Sequence, residues 1–222
     1  MARTVPSAAR PGSTDRRPLR ADAERNRQRL IDAAREVFAQ RGLEVTLDDI
    51  ARHAGVGVGT AYRRFANREE LIDAVFESTL QHLITLAERA LADDDPWEGL
   101  VQLFLATGQD FAHDRGLRQL FLEGARGEDR TVAARERLTP AVGAVLERAQ
   151  RAGVVRGDIV HTDFPLIQLM LGAVSQHSQA VSPELWKRYL TIVLDGLRQD
   201  RKQPTPLPHP PLGLEELERT MT

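Results

Sequence analysis

A short segment in the N-terminal third of the chain concentrates side chains that bind phosphate. Between Val58 and Phe65 the sequence reads VGTAYRRF, which places a threonine, a tyrosine and two arginines within five positions. Hydroxyl and guanidinium groups of this kind hold the sugar-phosphate backbone of a duplex. The neighbouring Val58, Gly59 and Ala61 are small enough to let a helix approach base edges in the major groove. The segment therefore predicts a helix that contacts DNA.

The residues just before this segment are typical of a helix-turn-helix. Thr46, followed three positions later by Asp49, resembles a capping box and predicts a short helix that begins at Leu47. Gly55 can adopt the left-handed conformation that joins two helices at a steep angle, and Val56 can pack inside that corner. We therefore expect the second helix, a tight turn and the third helix to form one unit.

The charge of the chain is unevenly distributed. Residues 1–68 hold 14 arginines and 8 acidic residues, a net charge of +6, whereas the remainder holds 16 basic and 24 acidic residues, a net charge of −8. A basic N-terminal part suits a polyanion, and an acidic body does not. The chain has no cysteine, which excludes disulfides, thiolate metal sites and cysteine nucleophiles.

The fold class is predicted to be all-α, with about nine helices, because no stretch shows sustained alternation of apolar and polar residues. Several helix starts are marked by a polar cap followed by a carboxylate or a proline. Pro140 lies inside the seventh predicted helix and must kink or split it. The predicted helices are Asp22–Arg41, Leu47–Ala54, Val58–Phe65, Arg68–Ala92, Pro96–His113, Leu117–Gly124, Asp129–Ala152, Asp163–Gln179 and Pro183–Asp200.

The block from Arg27 to Leu71 resembles the tetracycline-repressor-like (TetR) family of bacterial regulators. It reads RQRLIDAAREVFAQRGLEVTLDDIARHAGVGVGTAYRRFANREEL, and the core of the resemblance is IARHAGVGVGTAYRRFANREELI. The resemblance implies a homodimer with one recognition helix per subunit and a pseudo-palindromic operator in double-stranded DNA. It also implies that Thr60 and Tyr62 anchor phosphates. The groove-facing set that it implies is Val58, Gly59, Arg63 and Arg64.

One position departs from the family pattern. Many relatives have Ser, Arg or Gln where this chain has Val58, and neither Val58 nor Gly59 has a hydrogen-bonding side chain. Base readout is therefore expected to depend on Arg63 or Arg64, or on contact between Val58 and a thymine methyl group.

Two further residues are candidate DNA contacts. Arg68 begins the fourth predicted helix and Thr46 precedes the second, and a helix N-terminus favours a bound phosphate. Alternative roles remain open for the recognition helix itself. Thr60 could instead cap the helix, Tyr62 could be a core ring, and the two arginines at 63 and 64 could be merely solvated.

Aromatic and polar residues beyond Pro96 predict a pocket for a small-molecule effector that is apolar or aromatic in part. Such pockets are lined by apolar side chains with a few polar groups that orient the ligand. Each residue could instead belong to an ordinary core or be a solvated polar group. The candidate ligand contacts are Trp97, Phe104, Gln109, Phe111, His113, Phe121, Leu138, Val142, Gln168 and His177.

The last two predicted helices carry apolar stripes that predict a dimer interface. Two such helix pairs can form an isologous four-helix bundle, and the family resemblance implies the same arrangement. The competing interpretation is that both stripes are intramolecular core. The candidate interface residues are Leu166, Met170, Ala173, Val174, Tyr189, Ile192, Val193 and Gly196.

Four segments follow from these patterns. Residues 1–21 predict a disordered basic arm, and residues 22–68 predict the helix-turn-helix DNA-binding domain. Residues 69–202 predict a helical effector-binding and dimerisation domain, and residues 203–222 a proline-rich tail.

The predicted function is that of a DNA-binding transcriptional regulator, a dimeric repressor released by its effector. The alternatives are a corepressor-dependent regulator, an activator or a DNA-bound protein-interaction factor. An enzyme is disfavoured because the chain lacks a phosphate-binding glycine loop and a His-Glu-x-x-His motif. No metal or cofactor is expected, since the histidines lack ligand spacing. We expect a bacterial cytoplasmic protein associated with the nucleoid, because no apolar run approaches the ~20 residues of a membrane span.

Overall fold

The computed structural model describes residues 16–122, 132, 134–199, 210–213 and 215–216. This part of the chain forms nine α-helices and no β-strand, which confirms the predicted all-α fold. A π-helical turn, Ala134–Leu138, directly precedes α7. The helices are α1 (Arg16–Arg41), α2 (Leu47–His53), α3 (Val58–Tyr62), α4 (Arg68–Ala92), α5 (Pro96–His113), α6 (Arg115–Leu122), α7 (Thr139–Arg151), α8 (Asp163–Ser178) and α9 (Leu185–Leu197). None of these helices is long and apolar enough to cross a lipid bilayer.

Helices α4 and α5 have the bounds that their caps predict. The Asn67 side chain accepts a hydrogen bond from the Glu70 backbone N–H at 2.9 Å, which satisfies a free donor of the first turn of α4. Asp95 caps α5 by accepting from the backbone N–H groups of Trp97 and Glu98, and Pro96 stands at the first helical position. Strong caps therefore fix both helices in the sequence itself.

Other bounds differ from the prediction where caps are weak. Helix α1 begins at Arg16 rather than Asp22, so the last part of the predicted arm is helical, while residues 1–15 lie outside the described part of the chain. Pro140 splits the seventh predicted helix, because α7 begins at Thr139 after the π-helical turn. Helix α9 begins at Leu185, after a turn that contains the predicted start at Pro183. Of the predicted tail, residues 203–209, 214 and 217–222 also lie outside the described residues.

The buried apolar residues form two clusters. The first joins α1, α2 and α3 to the first half of α4, as far as Leu80, and to Leu120 of α6. The second joins the end of α4, from Ala87, to α5, α7, α8 and α9. Helix α4 therefore belongs to both clusters, and the first cluster extends beyond the predicted domain boundary at residue 68.

A second connection between the clusters runs from α1 to α6. A Cβ atom added to Gly116 would lie 2.6 Å from Phe38 Cβ and 2.9 Å from the Phe38 carbonyl carbon, so the two helix backbones approach as closely as glycine allows. Next to this contact, Gln119 Oε1 accepts a hydrogen bond of 2.8 Å from the Leu43 backbone N–H. Helix α6 thus holds the end of α1 and the loop that follows it.

We expect Gly116→Ala to lower the free energy of unfolding by about 1–3 kcal/mol, the usual cost of overpacking a tight contact. The matched control is Gly143→Ala in α7, where the nearest atom to an added Cβ is 3.8 Å away. That change should be neutral or stabilising by about 0.5–1 kcal/mol, because alanine replaces glycine within a helix. Urea denaturation followed by circular dichroism measures both. Equal stability of the two variants would contradict the close α1–α6 contact.

Candidate nucleic-acid interface

Helix α3 stands on a tight turn with one buried face. Gly55 has a φ angle of +64°, the left-handed conformation that the sequence predicts at the turn. Val56, Ala61 and Phe65 are all buried in the first apolar cluster. The backbone N–H groups of Arg64 and Phe65 both donate to the Ala61 carbonyl at 2.9 Å, so the helical turn continues past the last residue of α3. Its buried side therefore fixes which side faces outwards.

The outward side of α3 carries the side chains predicted to meet phosphate. The tyrosine ring at position 62 is 51% exposed, which contradicts the alternative of a core ring. Arg63 and Arg64 are exposed, and Arg63 Nη2 donates a hydrogen bond of 2.9 Å to Thr60 Oγ1. Thr60 does not cap α3, because Gly57 occupies the N-cap position. Together these groups form a basic, hydroxyl-rich face.

An acidic neighbour that the sequence reasoning missed acts on this face. A hydrogen bond to the Asp48 carboxylate, and the negative charge of that carboxylate, raise the pKa of Tyr62 above its usual value. The phenol therefore stays neutral at physiological pH and keeps its O–H donor. Asp48 is the second residue of α2, and a carboxylate within an otherwise basic segment was the available signal.

The other predicted DNA contacts have local partners. Val58 is half-buried against the first apolar cluster, whereas Gly59 is exposed with open space around it. Thr46 Oγ1 accepts from the Asp49 backbone N–H at 3.1 Å and donates to Asp49 Oδ2 at 2.7 Å, so its hydroxyl serves the cap of α2. Arg68 Nη1 donates to the Leu43 carbonyl at 3.1 Å and ties α4 to the α1–α2 loop.

A small apolar cavity lies within the second cluster. Its volume is about 10 Å³, close to the space that one water molecule needs. The rings of Phe104 and Phe164 meet there with centroids 4.7 Å apart. The lining residues come from α5, α7, α8, α9 and the α7–α8 loop, and they are Leu100, Phe104, Val142, Leu146, Ile159, Val160, Phe164, Ile167 and Leu197.

Only two of the predicted ligand contacts, Phe104 and Val142, line this cavity. Gln109 and His113 pair with each other at 3.1 Å on the exposed face of α5, and His177 is exposed on α8. Other candidates pack elsewhere, since Leu138 joins the first cluster and the guanidinium of Arg198 lies 4.1 Å from the ring centroid of Trp97. Phe111 and Gln168 are buried, and the side chain of Phe121 lies outside the described set.

The predicted dimer residues lie on an exposed apolar face rather than in the core. Met170, Tyr189 and Ile192 are 47%, 42% and 56% exposed, and Ala173 is exposed as well. Leu166, Val174, Val193 and Gly196 are half-buried beside them. The inward face of α8 consists instead of Gln168, Leu171, Gly172, Ser175 and Ser178.

Both halves of the chain match models of known protein families. Residues 30–75 match the family described as bacterial regulatory proteins, tetR family. Residues 95–199 match the family described as transcriptional regulator SbtR-like, C-terminal domain. The two matches cover the helix-turn-helix and the helices that form the second apolar cluster.

Similar proteins include curated regulators and solved structures. The HTH-type transcriptional regulator SrpR of Pseudomonas putida is 41% identical over 90 residues, which are 40% of this chain and 42% of SrpR. A TetR transcription regulatory protein from Mycobacterium vanbaalenii is 34% identical, with a TM-score of 0.60 over 82% of this chain and 99% of its own. A gamma-butyrolactone receptor described as ArpA-like is 25% identical, with a TM-score of 0.57 over 81% of this chain and 92% of its own.

The fold, the exposed helix α3 and these similarities define a helix-turn-helix transcriptional regulator that binds DNA. The chain belongs to the TetR family of bacterial regulators, as its sequence predicts.

We expect Arg63→Ala and Tyr62→Phe each to weaken binding of the operator by about 1–3 kcal/mol, the scale of a good charged or bidentate contact. The matched control is Arg151→Ala, which removes an exposed arginine at the end of α7 and should leave the affinity unchanged. Gel-shift titration at fixed salt measures all three. Wild-type affinity in both α3 variants would remove these side chains from the interface.

Proposed function

We propose that the protein is a repressor that binds a pseudo-palindromic operator as a homodimer and is released by a small-molecule effector. The observation that carries this proposal is the outward face of α3, where Thr60, Tyr62, Arg63 and Arg64 stand above a buried Ala61. A helix with small residues at its N-terminal end and phosphate-binding groups beyond them suits the major groove.

The exposed apolar face on α8 and α9 supports the homodimer. Large apolar side chains in a contiguous exposed patch are typical of protein interfaces, and Met170, Tyr189 and Ile192 are all more than two-fifths exposed. Self-association of this face pairs α8 and α9 of each protomer with the same helices of its partner. The dimer then carries two α3 helices for half-sites about 34 Å, or one helical turn, apart.

Release by an effector requires that the helical body influences the position of α3. Two structural connections support this link: α4 packs in both apolar clusters, and α6 holds the end of α1 through Gly116 and Gln119. A ligand that prefers a dimer with differently spaced α3 helices lowers operator affinity by shifting the population towards that dimer. The similarity to a gamma-butyrolactone receptor supports a ligand-responsive role.

The proposal is tested by selecting bound sequences from random duplexes and repeating the binding with candidate ligands. A repressor of the proposed kind binds an inverted repeat without ligand and loses affinity when its effector is added. Binding that requires a ligand would indicate a corepressor-dependent regulator instead. Failure to enrich any inverted repeat would contradict operator binding as a dimer.

We expect Ala173→Glu to convert the dimer into monomers and to lower operator affinity, because it buries an unpaired charge at the proposed interface. Such a buried charge costs about 3 kcal/mol or more. The matched control is Ala152→Glu, the same change at an exposed alanine after α7. Sedimentation velocity gives the mass of each variant. If Ala173→Glu has the same mass as the control variant, the proposed interface is wrong.

A further inference from the structure

Two buried polar atoms in the helical body have no hydrogen-bond partner among the described residues. They are Gln168 Oε1 on α8 and Trp186 Nε1 on α9, and both side chains are fully buried. Leaving a buried polar group unpaired costs about 1–3 kcal/mol, so native structures contain few of them. One atom is an acceptor and the other a donor, which together describe the polar groups of a missing occupant.

The orientation of the Gln168 amide is fixed by its neighbours. Thr107 Oγ1 donates its hydroxyl proton to the Leu103 carbonyl at 2.6 Å, so the Thr107 oxygen must accept from Gln168. The bond of 2.7 Å between Gln168 and Thr107 is therefore made by Nε2 of the amide. Oε1 is left as the free acceptor, and a ligand that contacts it must bring a donor.

The packing of α5 places these atoms next to the apolar cavity. Helices α5 and α8 run parallel, since Phe104 meets Phe164, and one turn further Thr107 meets Gln168. Trp186 packs on the adjacent side of α5, because a Cβ atom added to Gly108 would lie 2.7 Å from its ring. The Phe104–Phe164 ring pair therefore separates the apolar cavity from the polar groups of the α5–α8–α9 junction.

We propose that this junction binds a neutral, mainly apolar ligand with a hydroxyl or similar group that donates to Gln168 Oε1 and accepts from Trp186 Nε1. The inference rests on the proposed function and names the chemical class of its effector. A charged ligand is disfavoured because the one buried charged side chain in the described residues, Arg156, already pairs with Asp158 at 2.6 Å. The nine residues that line the cavity are all apolar and suit a ring or a short chain.

The small volume of the cavity makes this binding a conformational event. A space of about 10 Å³ holds no organic molecule, so a ligand must displace Phe104, Phe164 or the helices that carry them. Binding then selects a state in which α5 and α8 are further apart. The ligand thereby acts on the helix whose outward face carries Met170 and Ala173.

The probes for the test are 4-methylphenol and 1,4-dimethylbenzene, which have nearly the same shape and differ by a hydroxyl in place of a methyl group. Isothermal titration calorimetry with the full chain gives the two affinities, and ligand-induced shifts in melting temperature check them. We expect the wild type to bind the phenol at least about fivefold more tightly than the hydrocarbon, the scale of one buried hydrogen bond.

Two variants remove the proposed partners one at a time. Gln168→Met keeps the length of the side chain without its acceptor, and Trp186→Phe removes the indole donor. We expect the preference for the phenol to disappear in Gln168→Met and to fall in Trp186→Phe. The matched control is Gln102→Met on the exposed face of α5, which should keep the wild-type preference. Circular dichroism establishes that each variant is folded.

The inference is overturned if neither probe binds, if both bind equally to the wild type, or if the preference survives in Gln168→Met and Trp186→Phe. The last result would indicate that the two atoms are satisfied by enclosed water. Operator release is measured separately. Phenol binding through Gln168 without release from DNA would retain the site and contradict the proposed effector mechanism. Release by a ligand whose effect is unchanged in Gln168→Met would contradict this inference alone.

Discussion

Helix α3 has only five residues, and a helix of that length is not stable by itself in water. Its conformation depends on the burial of Val56, Ala61 and Phe65 in the first apolar cluster. The same burial sets the rotation of the helix, and rotation decides which side chains face outwards. The DNA-binding face, with Tyr62 and Arg63, is therefore a consequence of apolar packing on the opposite side. The long helix α4 adds most of the apolar surface that makes this packing possible.

The helix-turn-helix was predictable because its signals are local. A left-handed glycine at position 55 and the caps at Thr46 and Asn67 determine the backbone over a few residues, whatever the rest of the chain does. The start of α1 was missed because that helix has no acidic residue in its first turn. The interaction between Asp48 and Tyr62 was missed because it joins two helices across the turn.

The interior of the helical body was harder to predict because α8 has two plausible inward faces. Its large apolar residues suggest one stripe, but the residues that pack inwards include Gln168 and Ser175. These polar side chains are tolerated because Thr107 accepts from the Gln168 amide and the Ala112 carbonyl accepts from the Ser175 hydroxyl at 3.0 Å. Such pairings depend on the parallel register of α5 and α8, and no periodicity within one helix contains it. Polar ligand candidates such as Gln109 were placed on α5 correctly but on its exposed side.

The two faces of α8 connect the proposals made for this protein. Gln168 faces α5, whereas Met170 and Ala173 face outwards on the same helix, less than two turns away. A packed helix transmits a displacement because its core neighbours leave no space to absorb it. A ligand that separates α5 from α8 must therefore move the outward face of α8 in the proposed dimer. In an isologous dimer each protomer makes the same shift, so the separation of the two α3 helices changes by the sum of both movements. A small opening at Gln168 is thereby converted into a larger error in half-site spacing.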